Sequence, residues 1–280
     1  MREIDGHTRL FGLMGYPVEH TYSPQMHNYI SQVYNRNYAY TALCVKPGML
    51  GDAMRGLCAL DFAGVNVTAP YKAEVMQYLD EIDERAKMYG SVNTVRIEDG
   101  KMYGYNTDAD GFYLSLINEG VQIKGRDILI FGAGGASRPV CIKFALEGAK
   151  SITVLNRTQK NADALAEYVK DVCGYNIFTK REHGRYDVVI NTTSAGMEPN
   201  INSCPTEDFS FVDEKTAAAD MIYNPPQTVF LKKMKQHGAY AAINGLGMLI
   251  YQGIVAYEIF TKEKIDHKIY GDIKREVFGL

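Results

Sequence analysis

The sequence feature that most constrains this fold is a glycine-rich turn between a short apolar strand and a helix. Residues 127–131, DILIF, are nearly all apolar, as in a strand buried between the helix layers of a parallel sheet. The turn GAGGAS follows at residues 132–137, and a helical pattern continues to about Glu147. Three later apolar runs predict further strands, at residues 151–155, 187–190 and 217–222. Strands that alternate with helices in this way predict a doubly wound parallel sheet.

A second α/β pattern precedes this sheet. Apolar periodicity predicts strands at residues 10–18, 38–45 and 64–68. It also predicts helices at residues 24–34, 49–60 and 72–88, and Ser23 is the expected N-cap of the first. Asp99 and Gly100 separate two further predicted strands, 92–98 and 101–105, and favour a two-residue hairpin turn. An apolar stretch at residues 247–260 predicts a last long helix.

Composition narrows the class of partner. The chain has 280 residues, enough for two domains, and a formal net charge of −3. This charge supplies no long-range field for a polyanion, so we expect neither nucleic acid nor a membrane surface as partner. Five cysteines without a CxxC pair and the lack of a signal-peptide pattern favour a cytoplasmic protein. The six histidines do not cluster at metal-ligand spacing, so we expect no metal.

The glycine turn predicts a dinucleotide site. Such a turn lets backbone amides approach a pyrophosphate, and the N-terminus of the next helix faces the same anion. The expected contacts come from Gly132, Ala133, Gly134, Gly135 and Ala136. Ser137 replaces the third glycine of the usual GxGxxG pattern. The alternative is a glycine turn that serves only chain packing.

The end of the next predicted strand indicates which dinucleotide binds. Asn156, Arg157 and Thr158 begin 19 residues after Ser137, where an acidic residue would bind the ribose 2′-hydroxyl of NAD. An arginine there binds a 2′-phosphate through charge-assisted hydrogen bonds, whereas a carboxylate repels it. We therefore predict NADP as the cofactor, with Lys160 adding charge. The alternative is a solvated strand end with an incidental arginine.

Eight motifs occur along the chain in the order found in shikimate dehydrogenases. They are HTYSP (20–24), NVTAPYK (66–72), SVNT (91–94), YNTD (105–108), GAGGAS (132–137), NRT (156–158), NTTSAGM (191–197) and NGLGMLIYQ (244–252). One short motif is weak evidence, but eight in order with matching spacing are specific. The chain resembles the shikimate dehydrogenase family from about residue 10 to its end.

The resemblance implies a fold and an activity. The activity is the reversible reduction of 3-dehydroshikimate to shikimate by NADPH, in the route to aromatic amino acids. The fold is α/β with two domains: a substrate domain of residues 1–108, completed by helices in 245–280, and a Rossmann-like NADP domain of residues 109–244. A deep cleft between the domains would hold the small-molecule substrate and the cofactor. A monomer and a homodimer are both compatible with the sequence.

Hydride transfer to a ketone needs a proton donor beside the ketone oxygen, and the reverse reaction needs a base. Lys72 is the candidate for both, because partial burial and the helix predicted to begin there would lower its pKa. Asp108 resembles the acidic partner of the family, which holds a substrate hydroxyl and orients the ammonium. Without the motifs, a solvated surface pair is the simpler interpretation.

By resemblance, hydroxyls and amides bind the substrate. The carboxylate is expected at the hydroxyls of Thr21 and Ser23. The remaining substrate contacts are expected from Thr68, Asn93, Tyr223 and Gln252. Met221 and Gly245 are expected to face the nicotinamide. Each of these residues also has a purely structural interpretation, such as a helix cap, a hairpin residue or a core side chain.

Three residues depart from the family pattern. Thr21 replaces the first serine of HSxSP and adds a methyl group to the expected carboxylate pocket, which leaves shikimate and quinate open as substrates. Asn161 replaces a basic residue that often follows NRT, and Asn244 replaces an aspartate common before GLGM. Two alternatives therefore stay open: a quinate or dual quinate/shikimate dehydrogenase, and a non-catalytic protein that binds NADP or shikimate.

Overall fold

The computed structural model describes residues 4–182 and 184–280. The chain forms two compact units, one of Met1–Asp108 with Ile250–Leu280 and one of Ala109–Leu249. Each unit contains its own sheet. The assignment of one unit to the substrate and the other to the cofactor stays a prediction.

The first unit is built on a mixed sheet. In chain order its elements are β1 (Arg9–Gly15), α1 (Ser23–Val33), β2 (Tyr38–Cys44), α2 (Leu50–Ala59), β3 (Gly64–Val67), β4 (Glu81–Ile82), α3 (Glu84–Tyr89), β5 (Thr94–Glu98) and β6 (Lys101–Tyr105). The strand order is β2-β1-β3-β5-β6-β4. β1 runs parallel to β2 and β3, whereas β5 runs antiparallel to β3 and β6. Asp99 and Gly100 both have positive φ, as a type I′ turn requires, which confirms the predicted hairpin.

The second unit contains the predicted doubly wound sheet. Its elements are α4 (Asp108–Asn118), which begins at the unit boundary, β7 (Asp127–Phe131), α5 (Ser137–Leu146), β8 (Ser151–Leu155), α6 (Gln159–Cys173), β9 (Val188–Asn191), β10 (Ala217–Asp220), α7 (Val229–Gln236) and β11 (Ala241–Ile243). The strands are all parallel, in the order β11-β10-β9-β7-β8. The final helices are α8 (Leu246–Thr261) and α9 (Ile269–Phe278).

Apolar layers hold each sheet in place. In the first unit, α2 contributes Leu50 and Met54 to the core. A second cluster joins Phe11 of β1 to Ala256 and Phe260 of α8. In the second unit, residues of α7 pack with Phe131 and Phe211. Among the described residues, no helix has both the length and the apolar composition that a membrane span needs.

The prediction of one helix over residues 72–88 is wrong. A short 3₁₀ helix at Glu74–Tyr78 is followed by β4 and α3 instead. β4 pairs with the edge of β6, and Leu79 and Ile82 pack against the core of the first unit. Asp83 then caps α3 with its side chain. Pairing with a sheet edge therefore overrides the local helix pattern.

The prediction of Ser23 as an N-cap is also wrong. α1 begins at Ser23, and Tyr22 stands in the cap position without a side-chain hydrogen bond to the helix. Pro24 lies in the first turn, where its missing N–H has no helical partner to lose. The hydroxyl of Thr21 accepts a hydrogen bond from the Ser23 backbone N–H at 3.2 Å. Thr21 thus supplies the capping oxygen that was expected from Ser23.

Candidate active site

The first unit brings the two predicted catalytic side chains together. Lys72 follows a turn closed by the Tyr71 N–H and the Thr68 carbonyl. Its Nζ donates to Oδ2 of Asp108 at 2.7 Å, with exposed side-chain fractions of 35% for Lys72 and 19% for Asp108. The pair is thus shielded from water on some sides and accessible on others. Because residues 72–88 do not form one long helix, the helix dipole expected to act on the ammonium is not available.

Asn93 holds the Asp108 carboxylate from the other side. Its Nδ2 donates to Oδ1 of Asp108 at 2.9 Å. Its Oδ1 accepts from the Thr107 N–H at 2.8 Å and from the Thr94 hydroxyl at 2.9 Å. Because a backbone N–H can only donate, the amide oxygen must face Thr107 and the NH₂ group must face Asp108. Lys72 and Asn93 therefore fix one carboxylate oxygen each.

The predicted carboxylate-binding hydroxyls also lie together. Thr21 Oγ1 donates to Ser23 Oγ at 3.2 Å at the start of α1. Ser23 is buried, and its hydroxyl forms a hydrogen bond with the phenol of Tyr40 on β2. Two adjacent hydroxyls can donate to one carboxylate.

The other predicted substrate residues are divided between the units. Thr68 and Gln252 are half-buried residues of the first unit, at the end of β3 and in α8. Tyr223 is half-buried in the second unit, just after β10. The first unit therefore contains every predicted substrate contact except Tyr223.

The glycines of the turn in the second unit are of two kinds. Packing within the protein requires Gly132, whereas Gly134 and Gly135 border open space. Gly132 has a φ of +109°, and a Cβ there would lie 2.6 Å from Thr192 Oγ1. Its lack of a side chain thus follows from packing alone. A Cβ on Gly134 or Gly135 would meet no atom within 4 Å, so the protein itself leaves the space in front of them open. Ser137 closes the turn by donating to the Gly132 carbonyl at 2.7 Å.

A cavity of about 760 Å³ lies beside this turn. Gly132, Asn156, Arg157 and Thr158 line it. Asn156 accepts a hydrogen bond from the Ala133 N–H at 3.2 Å and donates to the Thr158 carbonyl at 3.0 Å. It therefore joins the turn to the loop that carries Arg157. A cavity with an arginine at its wall and an open glycine turn beside it fits a phosphorylated dinucleotide.

The motif at residues 191–197 contributes cavity residues that were not predicted as ligands. Thr193, Ser194 and Ala195 line the same cavity, as do Asn200, Ser203, Cys204 and Thr206. The sequence signal was available, because polar residues that follow a buried parallel strand face the ligand edge of such a sheet. Among the described residues, no group of three His, Cys, Asp or Glu side chains is arranged to hold a metal ion.

Met221 and Gly245 lie against each other in the second unit. A Cβ on Gly245 would stand 2.1 Å from the Met221 carbonyl oxygen, so only glycine fits. Asn244 accepts from the Leu246 N–H and donates to the Pro226 carbonyl, both at 3.1 Å. An ionised aspartate can accept but cannot donate, so asparagine at 244 adds a bond to the neighbouring loop.

Asp220 is a buried carboxylate that the sequence interpretation missed. It accepts hydrogen bonds from the Thr228 hydroxyl at 2.6 Å, from the Ile222 N–H at 3.0 Å and from Asn191 Nδ2 at 3.1 Å. Burial raises the pKa of Asp220, and these hydrogen bonds oppose the rise. Asp220 thus anchors the segment that carries Met221. An aspartate at the end of an apolar strand was the available signal.

Two family models match this chain, one within each unit. Residues 13–95 match the family described as shikimate dehydrogenase substrate binding domain, and residues 115–214 match the family described as shikimate / quinate 5-dehydrogenase. The shikimate dehydrogenase (NADP(+)) of Methanococcus aeolicus is 42% identical over 271 residues, which cover 95% of this chain and 96% of that relative.

Two solved structures extend the comparison. The shikimate 5-dehydrogenase from Thermus thermophilus, in complex with NADP(H) and shikimate, is 31% identical with a TM-score of 0.86, covering 96% of this chain and 100% of its own. The quinate dehydrogenase from Corynebacterium glutamicum, in complex with NAD, is 27% identical with a TM-score of 0.86, covering 97% and 98%. Both domains of the family are thus present along nearly the whole sequence. This chain belongs to the shikimate dehydrogenase family.

Proposed function

We propose that the protein is an NADP-dependent shikimate dehydrogenase that reversibly reduces 3-dehydroshikimate to shikimate in the route to aromatic amino acids. The observation that carries the proposal is the arrangement around Asp108. One carboxylate oxygen accepts from Lys72 and the other from Asn93. An oriented ammonium can donate the proton that ketone reduction needs, and in the reverse reaction the neutral amine can accept the proton that alcohol oxidation releases.

The chain's own residues act on the proton and on the substrate. When bound, NADPH supplies the hydride to the carbonyl carbon. Lys72 donates a proton to the ketone oxygen during reduction and removes it from the hydroxyl during oxidation. Asp108 keeps the ammonium in place and accepts a hydrogen bond from a substrate hydroxyl. Asn93 keeps the carboxylate oriented.

Polar side chains of the family's motifs bind the substrate. The hydroxyls of Thr21 and Ser23, which lie 3.2 Å apart, hold the carboxylate. Thr68, Asn93, Gln252 and Tyr223 supply the remaining polar contacts. This assignment rests on the family's motifs and on the position of all but Tyr223 in the unit that contains Lys72.

The cavity beside the glycine turn takes NADP. Amides of residues 132–136 face the pyrophosphate, and Arg157 binds the 2′-phosphate. Asn156 and Thr158 keep the arginine loop joined to the turn. Met221 and Gly245 form the surface expected to face the nicotinamide. The open space in front of Gly134 and Gly135 supports this placement.

Replacing Lys72 tests the catalytic assignment. We expect Lys72→Ala to lower kcat by at least about a hundredfold with a modest change in KM, because general acid–base catalysis contributes on that order. Lys87 is the matched control, since it also lies in the first unit and forms an ion pair, with Glu84 at 2.6 Å. Near-normal turnover of Lys72→Ala would contradict the role of Lys72.

Replacing Arg157 tests the cofactor assignment. We expect Arg157→Asp to weaken NADP binding without weakening NAD binding, because the new carboxylate repels the 2′-phosphate of NADP but can accept a hydrogen bond from the ribose 2′-hydroxyl of NAD. Arg181, which pairs with Asp208 in the same unit, is the control position. Equal affinity of the wild-type protein for NAD and NADP, with no effect of Arg157→Asp on the difference, contradicts the assignment.

Thr21 supports a second candidate function, that of a quinate or dual quinate/shikimate dehydrogenase. Thr21 adds one methyl group to the expected carboxylate site. A change of one such group in a pocket typically alters the discrimination between two substrates by about 1 to 3 kcal/mol. Initial rates with shikimate and quinate, each with NADP and NAD, distinguish the candidates. Thr21→Ser then measures the effect of the methyl group. Ligand binding without turnover would favour a binding protein.

Two further expectations concern location and assembly. The cysteine usage fits a cytoplasmic enzyme. The enzyme is expected to work as a monomer or a homodimer, which sedimentation of the purified protein resolves.

A further inference from the structure

A continuous series of hydrogen bonds, all of them buried except the one at Asp108, leads from Asp108 to Tyr40 on β2. Asn93 Nδ2 donates to Asp108 at 2.9 Å, and the Thr94 hydroxyl donates to Asn93 Oδ1 at 2.9 Å. Asn66 Nδ2 donates to the Thr94 hydroxyl at 2.9 Å, and the Tyr40 hydroxyl donates to Asn66 Oδ1 at 2.7 Å. We call these five residues the Asp108 chain. Every bond in it has its donor on the side away from Asp108.

Tyr40 is the outermost donor of this series. Burial raises the pKa of the Tyr40 phenol well above its ordinary value, and the hydrogen bond from Ser23 opposes part of that rise. The phenol is therefore protonated at working pH and donates to Asn66. Two contacts orient the Asn66 amide: Tyr40 donates to its oxygen, and the Asn93 carbonyl, which can only accept, lies 3.1 Å from its NH₂ group. The NH₂ group therefore also donates to Thr94.

The surroundings exclude water from every residue of the Asp108 chain except Asp108 itself. Exposed fractions are 6% for Tyr40, 5% for Asn66, 3% for Asn93 and 0% for Thr94. The Tyr40 ring stacks on the ring of His27 at a centroid distance of 4.1 Å, which holds the phenol in place. In such surroundings a lost partner is not replaced by solvent, and hydrogen bonds in series strengthen one another.

We propose that Tyr40 is a positioning residue for the Lys72–Asp108 pair, acting through Asn66, Thr94 and Asn93. The Asp108 chain also links the pair to Ser23, which belongs to the expected carboxylate site. The role of Tyr40 rests on the proposed function.

The consequence of removing the phenol oxygen follows from the direction of the bonds. In Tyr40→Phe the Asn66 oxygen loses its donor, and only the bonds of the NH₂ group to the Asn93 carbonyl and to the Thr94 hydroxyl still hold the amide. The bond that Thr94 accepts is then weaker, and so is the bond that Thr94 donates to Asn93. Asn93 keeps its bond from the Thr107 N–H but is held less firmly on the side of Thr94, so Asp108 is held less firmly beside Lys72.

A double-mutant cycle on kcat tests the proposal. Tyr40→Phe and Thr94→Val each remove one hydroxyl with little change of shape, and each is expected to lower kcat about tenfold with shikimate and NADP. The double variant is expected to lose about tenfold as well, because one break already interrupts the chain. KM for NADP is expected to stay unchanged, since the residues assigned to NADP lie in the other unit.

Tyr257→Phe is the matched control. Tyr257 is also buried in the first unit, and its hydroxyl lies 3.3 Å from Ser31 Oγ, outside the Asp108 chain. This variant is expected to lose thermal stability while keeping kcat within about twofold of wild type. Its effect on kcat should multiply with that of Thr94→Val, as for independent sites.

Any of three results would overturn the positioning role. The first is a wild-type kcat in Tyr40→Phe. The second is a double variant whose loss of kcat equals the product of the losses in Tyr40→Phe and Thr94→Val, and the third is a loss of kcat in Tyr257→Phe as large as that in Tyr40→Phe. If Tyr40→Phe does not fold, Thr94→Val alone must lower kcat about tenfold, or the proposal fails. An inactive wild-type enzyme overturns the proposed function and the positioning role with it. An active wild type with an unaffected Tyr40→Phe overturns the positioning role alone.

Discussion

His27 makes the first unit sensitive to acid. Its side chain is 1% exposed, and its ring lies near the rings of Tyr40 and Tyr257, at centroid distances of 4.1 and 6.1 Å. Within the described residues, Nδ1 of His27 has no hydrogen-bond partner. Burial lowers the pKa of His27 from its ordinary 6.5 to about 3. The folded protein therefore holds a neutral imidazole.

The sign and size of the effect follow from this pKa difference. Between pH 6.5 and about 3 the unfolded chain binds a proton at His27 that the folded chain does not, so stability falls as pH falls. Between about pH 7 and pH 5 the loss from this group is about 2 kcal/mol, with one pKa unit equal to about 1.4 kcal/mol. Above the unfolded pKa this cost is absent.

Urea denaturation of wild type and His27→Leu at both pH values measures the effect. The packing cost of the substitution applies at both pH values and cancels, so the variant should lose about 2 kcal/mol less than wild type between them. His7 is exposed and provides the control variant His7→Gln. If His27→Leu shows the same loss on acidification as wild type, the inference that His27 is neutral in the folded protein is refuted.

Three further predictions concern packing and charge. Gly245→Ala should destabilise the second unit by about 3 kcal/mol in thermal unfolding, because its Cβ would collide with the Met221 carbonyl at 2.1 Å. Gly56→Ala should instead stabilise by about 1 kcal/mol, since it lies inside α2 with no atom within 4 Å of the new Cβ. Lys143→Met should cost about 3 kcal/mol, because the buried ammonium bridges two carboxylates, of Asp110 and Glu147, at 2.6 and 2.8 Å. Wild-type stability of Lys143→Met, or equal effects of the two glycine variants, would contradict this reasoning.

Local patterns predicted much of the fold. The strand–turn–helix unit around GAGGAS, the hairpin at Asp99-Gly100 and the parallel sheet of the second unit are all confirmed. Each depends on residues close in sequence, such as an apolar run, a positive φ or a glycine. The helix expected over residues 72–88 failed because β6, further along the chain, offers an edge for pairing.

The resemblance predicted the pairing of Lys72 with Asp108 but not the other hydrogen bonds of the candidate site. Motif order identified Lys72, Asp108 and Asn93, and the structure places them in contact. No sequence pattern indicated that Tyr40 and Asn66 belong to the same series of hydrogen bonds. The two residues lie on different strands, 26 residues apart, and only the sheet brings them into contact. Asp220 was missed although its position at the end of an apolar strand was an available signal.

The sequence by itself determined the family, the two α/β patterns and the kinds of side chain present at the candidate site. Apart from the pairing of Lys72 with Asp108, which the resemblance implies, only the tertiary structure decided which of these side chains share hydrogen bonds. Lys72 and Asp108 are 36 residues apart, and Tyr40 and Asn66 are 26 apart, so their contacts depend on strand order and register rather than on local pattern. The tertiary structure also decided which side chains are buried. His27 and Tyr40 become inaccessible to water only when α1, β2 and α8 pack together.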